Sequence, residues 1–337
     1  MKREKGVLTL ILAGFAMILL ILDTKTAVSG AKDGIMLCLY TVIPSLFPFF
    51  ILSAMITSNI TGKSVDILCP IGRLCGIPEG AESLILLGLL GGYPVGAQAI
   101  SDAYKQGQIK KSAAHRLLGF CSNAGPAFLF GIAGTLFHSA IIPWILWLIH
   151  ILSALTVGII LPEKKRDTCQ LRKSAPLALP QAMEQSIHIM ATVCGWVVMF
   201  RVTLAVLNRW VFWFLPMEVQ ILLSGLLELS NGCVALHSLQ AEGSRFVLCA
   251  CMLAIGGLCV GMQTVSVTAA VGTGMYFPGK ILQCLISVLI ANTVQHFLFR
   301  PSECLALPVG IYICIFAVGS VLLLYLHRRK KVVAMCV

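Results

Sequence analysis

The sequence predicts an all-α polytopic membrane protein: about eight transmembrane helices plus two re-entrant hairpins, arranged as an inverted repeat. Three observations predict it. Of 337 residues, 58% are hydrophobic and only 12% charged, with a mean hydropathy of +0.91; a soluble domain carries roughly 25% charged residues. Several apolar runs reach the ~20 residues that a helix needs to cross a bilayer. Some of those runs are broken by Gly, Pro, Ser and Asn, above all at Gly91–Gly96 and Ser122–Pro126. Irregular backbone at membrane depth survives only where protein buries it or where it lines a wet cavity.

Taken in order, a basic start precedes the apolar run Val7–Leu22. The run is longer than a signal-peptide core and no small-residue cleavage site is obvious before Asp23, so an uncleaved first span is expected. Asp23–Asp33 reads as a polar loop. Gly34–Ile56 is a second span, kinked by Pro44 and Pro48. Thr57–Glu82 is a mixed loop. Ser83–Ala97 is about fifteen residues long, short for a crossing, and reads as the first re-entrant piece. Ser101–Arg116 is polar and basic, with His115 and Arg116 at the cytoplasmic surface. Leu117–Phe137 is a broken span and Ala140–Leu161 a clean one. Pro162–Pro180 is the largest hydrophilic break. Ser186–Asn208 is a span, Trp210–His237 a second interrupted piece, and Phe246–Gly272 a span broken over Gly256–Gln263. Ile281–Phe299 and Leu305–Leu326 are spans, and a basic tail follows from His327. The organisation is therefore an N-terminal span and loop (1–33), a first repeat (34–161), a basic cytoplasmic linker (162–185), a second, inverted repeat (186–299), and a final span with its tail (300–337).

Charge tests this parse. With both short pieces dipping in and returning, nineteen basic residues, Lys280 among them, fall on the side of the termini and five on the other. That bias fits the positive-inside rule with both termini cytoplasmic. If Ser83–Ala97 alone crosses, the basic stretch 101–116 and everything after it change sides. The net charge of +11 thus reflects orientation in the lipid bilayer; no basic stripe interleaves with exposed aromatics, so nucleic acid is not expected as a partner.

Both halves run span, re-entrant piece, broken span, span, with breaks about thirty residues apart. Inverted repeats with matched breaks point to a secondary transporter with its site at the midplane. A helix start there presents unpaired N–H groups and a partial positive charge, which suit an anion. Neutral polar residues at the breaks can orient a solute. The candidate substrate-binding residues are Tyr93, Gly96, Gln98, Ser122, Asn123, Gly125, Glu228, Ser230, Asn231, Gly261 and Gln263. Asn123 and Asn231 rank first; capping a broken helix, which Asn does well, is compatible with solute contact.

At these residues the chain resembles the sporulation integral membrane proteins of the YlbJ/SpoVV type, which carry the nucleoside-recognition, or Gate, domain. The resemblance rests on Gly92-Tyr93-Pro94-Val95-Gly96-Ala97, Ser122-Asn123-Ala124-Gly125-Pro126-Ala127-Phe128, Leu227–Gly232 and the Gly-rich break at 256–263. It implies a fold similar to concentrative nucleoside transporters. It also implies passage of dipicolinic acid, a planar dicarboxylate, across the outer forespore membrane. Cys259 and Met262 stand where smaller or more polar residues are expected in that family.

Single residues weigh less. Glu228 is an acid in an apolar segment, a functional candidate by default, against a plain capping role. Arg201 suits a carboxylate but lies near a span end, where snorkelling is the commoner reading. His188, His237 and His296 are weak candidates for proton relay. The 14 Cys form no Cys-x-x-Cys pair, so no metal or redox site is expected, nor any cofactor. No His-Glu-x-x-His and no convincing Ser/His or paired-Asp arrangement occurs, so no enzyme is expected. A proton or sodium as coupling ion, and self-association, stay open, as do a nucleoside or other small solute and a non-transporting structural role in spore assembly.

Overall fold

The computed structural model describes residues 2–60, 68–78, 81–161, 176–305 and 319, and among these all regular structure is helical. Five helices there are long and apolar enough to cross a membrane: Thr24–Ile56, Ile141–Ile160, Leu179–Phe212, Glu242–Val267 and Tyr276–Leu298. The expected span Leu305–Leu326, its tail and most of the linker lie outside the described residues.

Helix α1 (Lys2–Leu22) contains the expected first span. The expected loop after it is instead helix α2 (Thr24–Leu37), started by Asp23, whose carboxylate accepts from the Thr26 N–H. The same carboxylate takes the Trp210 indole N–H at 3.0 Å and pairs with Arg209. The polar residues Lys25, Lys32 and Asp33 face outward, while Gly30 and Gly34 are buried. Those two glycines let α2 lie against the backbone of α10 (Leu179–Leu207), where a methyl group at either would crowd Val198, Val202 or Ala205. Close approach through small residues spaced four apart is how helices pack when lipid supplies no hydrophobic drive. Loop-like composition here was the polar face of a helix.

The α2 helix continues through a widened turn, Cys38–Val42, into α3 (Ile43–Ile60). Pro44 has no N–H to give, and the Ile43 N–H reaches back five residues to Cys38 O. The expected kink is taken up as an extra residue in the turn. Within the expected loop 57–82 lies a short helix, α4 (Cys69–Leu74). The expected linker likewise ends early: α10 starts at Leu179, with Pro180 in its first turn, where a missing N–H costs nothing.

Between these long helices the chain is cut into short ones. Helices α5 (Ser83–Leu90) and α6 (Val95–Lys105) pack side by side around the turn Gly91–Pro94. Helix α7 (Lys111–Leu117) is followed by eight non-helical residues and then α8 (Pro126–Gly131) and the long α9 (Ile141–Ile160). In the second half, α11 (Met217–Leu227) and α12 (Leu229–Ala235) meet at Glu228, and α13 (Glu242–Ile255) and α14 (Gly257–Val267) at Gly256. Helix α15 (Tyr276–Leu298) closes the described part.

The non-helical stretch 118–125 is threaded through the molecule on glycine contacts. A methyl group at Gly88 or Gly96 would collide with the Cys121 carbonyl, one at Gly279 with Gly119 O, and one at Gly92 would stand 3.0 Å from Gly125 N. Backbone thus lies directly on backbone, a spacing that any side chain would break. Arg116 ends α7 just before this stretch and corrects the expectation of a surface residue. It is buried, and its guanidinium donates to Gly76 O at 2.8 Å, Gly158 O at 2.7 Å and Leu161 O at 3.4 Å. It supplies donors that the carbonyls at the end of α9 would otherwise lack. His115 bonds Val271 O at 2.7 Å and is half-buried.

Gly88→Val is expected to abolish the folded protein, because the collision is with backbone that cannot step aside. Gly195→Ala, with nothing within 4 Å of the added methyl, is expected to be neutral or to stabilise by about 0.5–1 kcal/mol. Fluorescence-detected size exclusion and a thermal melt of both variants check this; a folded, monodisperse Gly88→Val protein contradicts the threading.

Candidate functional site

Four interruptions meet near the centre. At Gly91–Pro94 the chain turns sharply, with Gly92 at φ 71°. At 118–125 it is threaded as described. At Glu228 it is extended, φ −142° and ψ 118°. At Gly256 and Gly257 it takes φ of 76° and 75°, a left-handed pair open to glycine and costly for other residues. This last break is narrower than expected: Gly261 and Gln263 lie inside α14, and Gly261 packs on the Phe277 ring.

The breaks touch one another. The Tyr93 hydroxyl donates to Leu253 O at 3.3 Å, and it stands 3.0 Å from where a methyl group at Gly256 would be. Gly257 abuts the Gly225 and Leu226 carbonyls at the end of α11. Four helices, α6, α8, α12 and α14, therefore begin at these junctions, each presenting the partial positive charge of its first turn. The α12 end is already capped: the Glu228 carboxylate accepts from the Ser230 N–H at 3.0 Å and the Asn231 N–H at 2.7 Å.

A cavity of ≈ 40 Å³ lies among them. Its walls are Val42 of the widened turn, Leu46 and Phe50 of α3, Phe128 of α8, Val193 and Val197 of α10, Ser230 of α12, Gln263 of α14, and the breaks themselves through Gly92, Tyr93, Gly125 and Glu228. The volume suffices for a few water molecules. Of the sequence-predicted residues, Tyr93, Gly125, Glu228, Ser230 and Gln263 line it. Asn231 sits just behind, buried, its side-chain oxygen accepting from Arg201. Arg201 is half-buried and also lies 3.9 Å from the outward-facing Asp33. Asn123 lies on the far side of Tyr93, in the network described next. Ser122 is fully buried; Gly96 is used as backbone support; Gln98 is half-buried and does not line the cavity.

The residues missed in the sequence lie behind the first two breaks. Lys280, assigned there to a cytoplasmic loop, is in α15 and buried to 1% exposure. Its ammonium donates to Gln283 Oε1 at 2.8 Å, the Tyr93 hydroxyl at 3.1 Å and Asn123 Oδ1 at 3.2 Å. His150 of α9 accepts the Ala124 N–H at 3.1 Å. The signal was present: Lys280, Gln283, Ser287 and Gln295 recur at helical spacing, and all are buried. A polar stripe on an apolar helix faces the protein interior. The flanking Gly272, Gly274, Pro278 and Gly279 had made the start of this helix look like a loop. Conversely, the three candidate relay histidines, His188, His237 and His296, are all exposed on helix exteriors.

Glu228→Ala is expected to free the first turn of α12 and cost about 1–2 kcal/mol. Hydrogen–deuterium exchange reads it directly: the Ser230 and Asn231 amides should exchange at least about tenfold faster, with α9 unchanged. Equal protection in both proteins would show that the carboxylate is not the cap.

No protein-family model matches the chain, and no solved structure matches it. Among curated proteins it is similar to the sporulation integral membrane protein YlbJ of Bacillus subtilis (strain 168), 28% identical over 194 residues. The match covers 55% of this chain and 47% of that protein, so it spans about half the length of the curated relative.

Proposed function

We propose that this chain is a secondary transporter that moves a small planar anion, of the dipicolinate-like dicarboxylate class, across a membrane during sporulation. The observation that carries the proposal is the cavity at which three of the helix breaks meet, at Gly91–Tyr93, Gly125 and Glu228, between the long helices α3 and α10. Broken helices around a polar pocket between packed long helices are the build expected of alternating access. The two halves of the chain would be inverted repeats of one Gate-like unit, moving against each other. The similarity to a sporulation integral membrane protein supports the setting. Both termini would be cytoplasmic and the membrane the outer forespore membrane.

The charge balance supports an anion. The Glu228 carboxylate is held by α12, and Gly125, Ala127 and Phe128 at the start of α8, whose first N–H groups have no intrahelical partner, line the cavity. Arg201 and Lys280 stand behind Asn231 and Tyr93. The Tyr93 ring would stack on the solute, and Asn123 and Asn231 would hold the breaks in shape. A ring-bearing solute is larger than the cavity, so α3 and α10 would part to admit it. The solute would cross chemically unchanged. Glu228, Ser230 and Gln263 in one wall favour a second reading, an uncharged solute rich in donors such as a nucleoside.

Flux of dipicolinate into proteoliposomes tests the proposal. Uptake above protein-free vesicles is expected, and Asn231→Ala is expected to lower it at least about tenfold, the effect of ~1.4 kcal/mol at a transition state, while inserting normally. Thermal shift against dipicolinate, other dicarboxylates and nucleosides separates the readings. A response to nucleosides alone selects the second, and neither flux nor shift leaves a structural role in the spore membrane.

A further inference from the structure

Lys280 is surrounded on every side by neutral oxygen. An ammonium has three N–H donors, and each finds one acceptor: Gln283 Oε1, the Tyr93 hydroxyl and Asn123 Oδ1, at 2.8, 3.1 and 3.2 Å. None of the ion pairs among the described residues includes it. The nearest titratable groups on the elements packed against it are Tyr93, Cys121, His150 and Tyr276, none of them a carboxylate.

Each oxygen is aimed by a second bond. The Tyr93 hydroxyl spends its hydrogen on Leu253 O, which leaves its lone pairs for Lys280. The Asn123 amide donates to Phe120 O at 2.7 Å, turning Oδ1 inward. The Gln283 amide donates to Asn123 Oδ1 and His150 O, turning Oε1 the same way. The Tyr93 ring centroid lies 5.0 Å from the ammonium and adds the attraction of its face. Oxygens fixed around one point and supplied by separate elements make a cation cage, and burying a charge needs such well-aimed hydrogen bonds to offset its desolvation.

We propose that Lys280 is a tethered cation: its ammonium fills, from within the chain, a monovalent-cation site formed by Tyr93, Asn123 and Gln283. The site pins the turn at Gly91–Pro94 and the threaded stretch 118–125 to α15, so that this junction is held without dissolved Na+. For coupling, the inference rests on the transport reading: translocation then needs no sodium ion here. The cage itself stands whatever the solute.

Thermal unfolding of the purified full chain tests the cage, in buffers whose cation is N-methylglucamine, Na+, K+ or methylammonium. Lys280→Met, of similar length without the charge, is expected to melt at least about 5 °C below the unsubstituted protein and to ignore the cation. Lys280→Ala opens the cage and is expected to melt as low in N-methylglucamine. It should recover at least half of the loss, saturably, in methylammonium or a small alkali cation. Melting of Lys280→Met with the unsubstituted protein, or a folded Lys280→Ala that answers to none of the cations, overturns the proposal. Should Lys280→Ala not fold, Tyr93→Phe removes one oxygen together with the bond to Leu253 O: a loss of about 2 °C that is smaller in the Lys280→Met background supports the cage, and an equal or larger loss there sinks it. Dipicolinate uptake should be the same in Na+ and in N-methylglucamine, and Na+-dependent uptake overturns the coupling inference. A cation response without dipicolinate flux would keep the cage and discard the solute.

Discussion

The structure depends on backbone resting on backbone. Eight residues, 118–125, run without helix through the interior, and they can do so only because Gly88, Gly92, Gly96 and Gly279 offer surfaces with no side chain. The contact leaves no room for adjustment, and the polar groups of the stretch must find partners where they lie. The His150 ring meets the Ala124 N–H, and Asn123 bonds back to Phe120 O. Lys280 and Gln283 then converge on the Asn123 oxygen. The setting of the buried cation and one wall of the cavity, at Gly125, follow from how that one stretch is seated.

The two halves solve the same problem by different chemistry. In the first, the break is long and is held by side chains from α9 and α15. In the second, the breaks are short: one carboxylate at Glu228 and two left-handed glycines at 256 and 257 suffice. Tyr93 joins the halves by bonding Leu253 O at one end of its reach and receiving Lys280 at the same oxygen. That one hydroxyl ties α13 to α15.

Much of this was legible in the sequence. The all-helical class followed from the apolar runs, and the interruptions expected at Gly91–Gly96, Ser122–Pro126 and Leu227–Gly232 each overlap a break in the structure, though the second starts four residues earlier, at Leu118; five of the residues singled out there line the cavity. What was missed has a common cause. Composition marks a residue as polar but does not say which way its helix faces. Asp23–Asp33 looked like a loop because its outward face is charged, though its inward face carries Gly30 and Gly34. Arg116 looked like a surface charge because it ends a polar, basic stretch, and Lys280 because it follows a Gly- and Pro-broken one, yet each is consumed by carbonyl, amide or hydroxyl oxygens. Gly261 and Gln263 looked like part of a break because glycine was counted without its φ; only Gly256 and Gly257 need the left-handed region.

The inward polar stripe of α15 bears on how the chain enters its membrane. Its mean hydropathy of 1.6 is the lowest of the five membrane-length helices, and it carries Lys280, Gln283, Asn292 and Gln295 on one side. Alone in hydrocarbon such a segment has every reason to slip back toward water. In the folded chain α9 and α13 pack against this helix, so its retention as a span is expected to depend on those two neighbours.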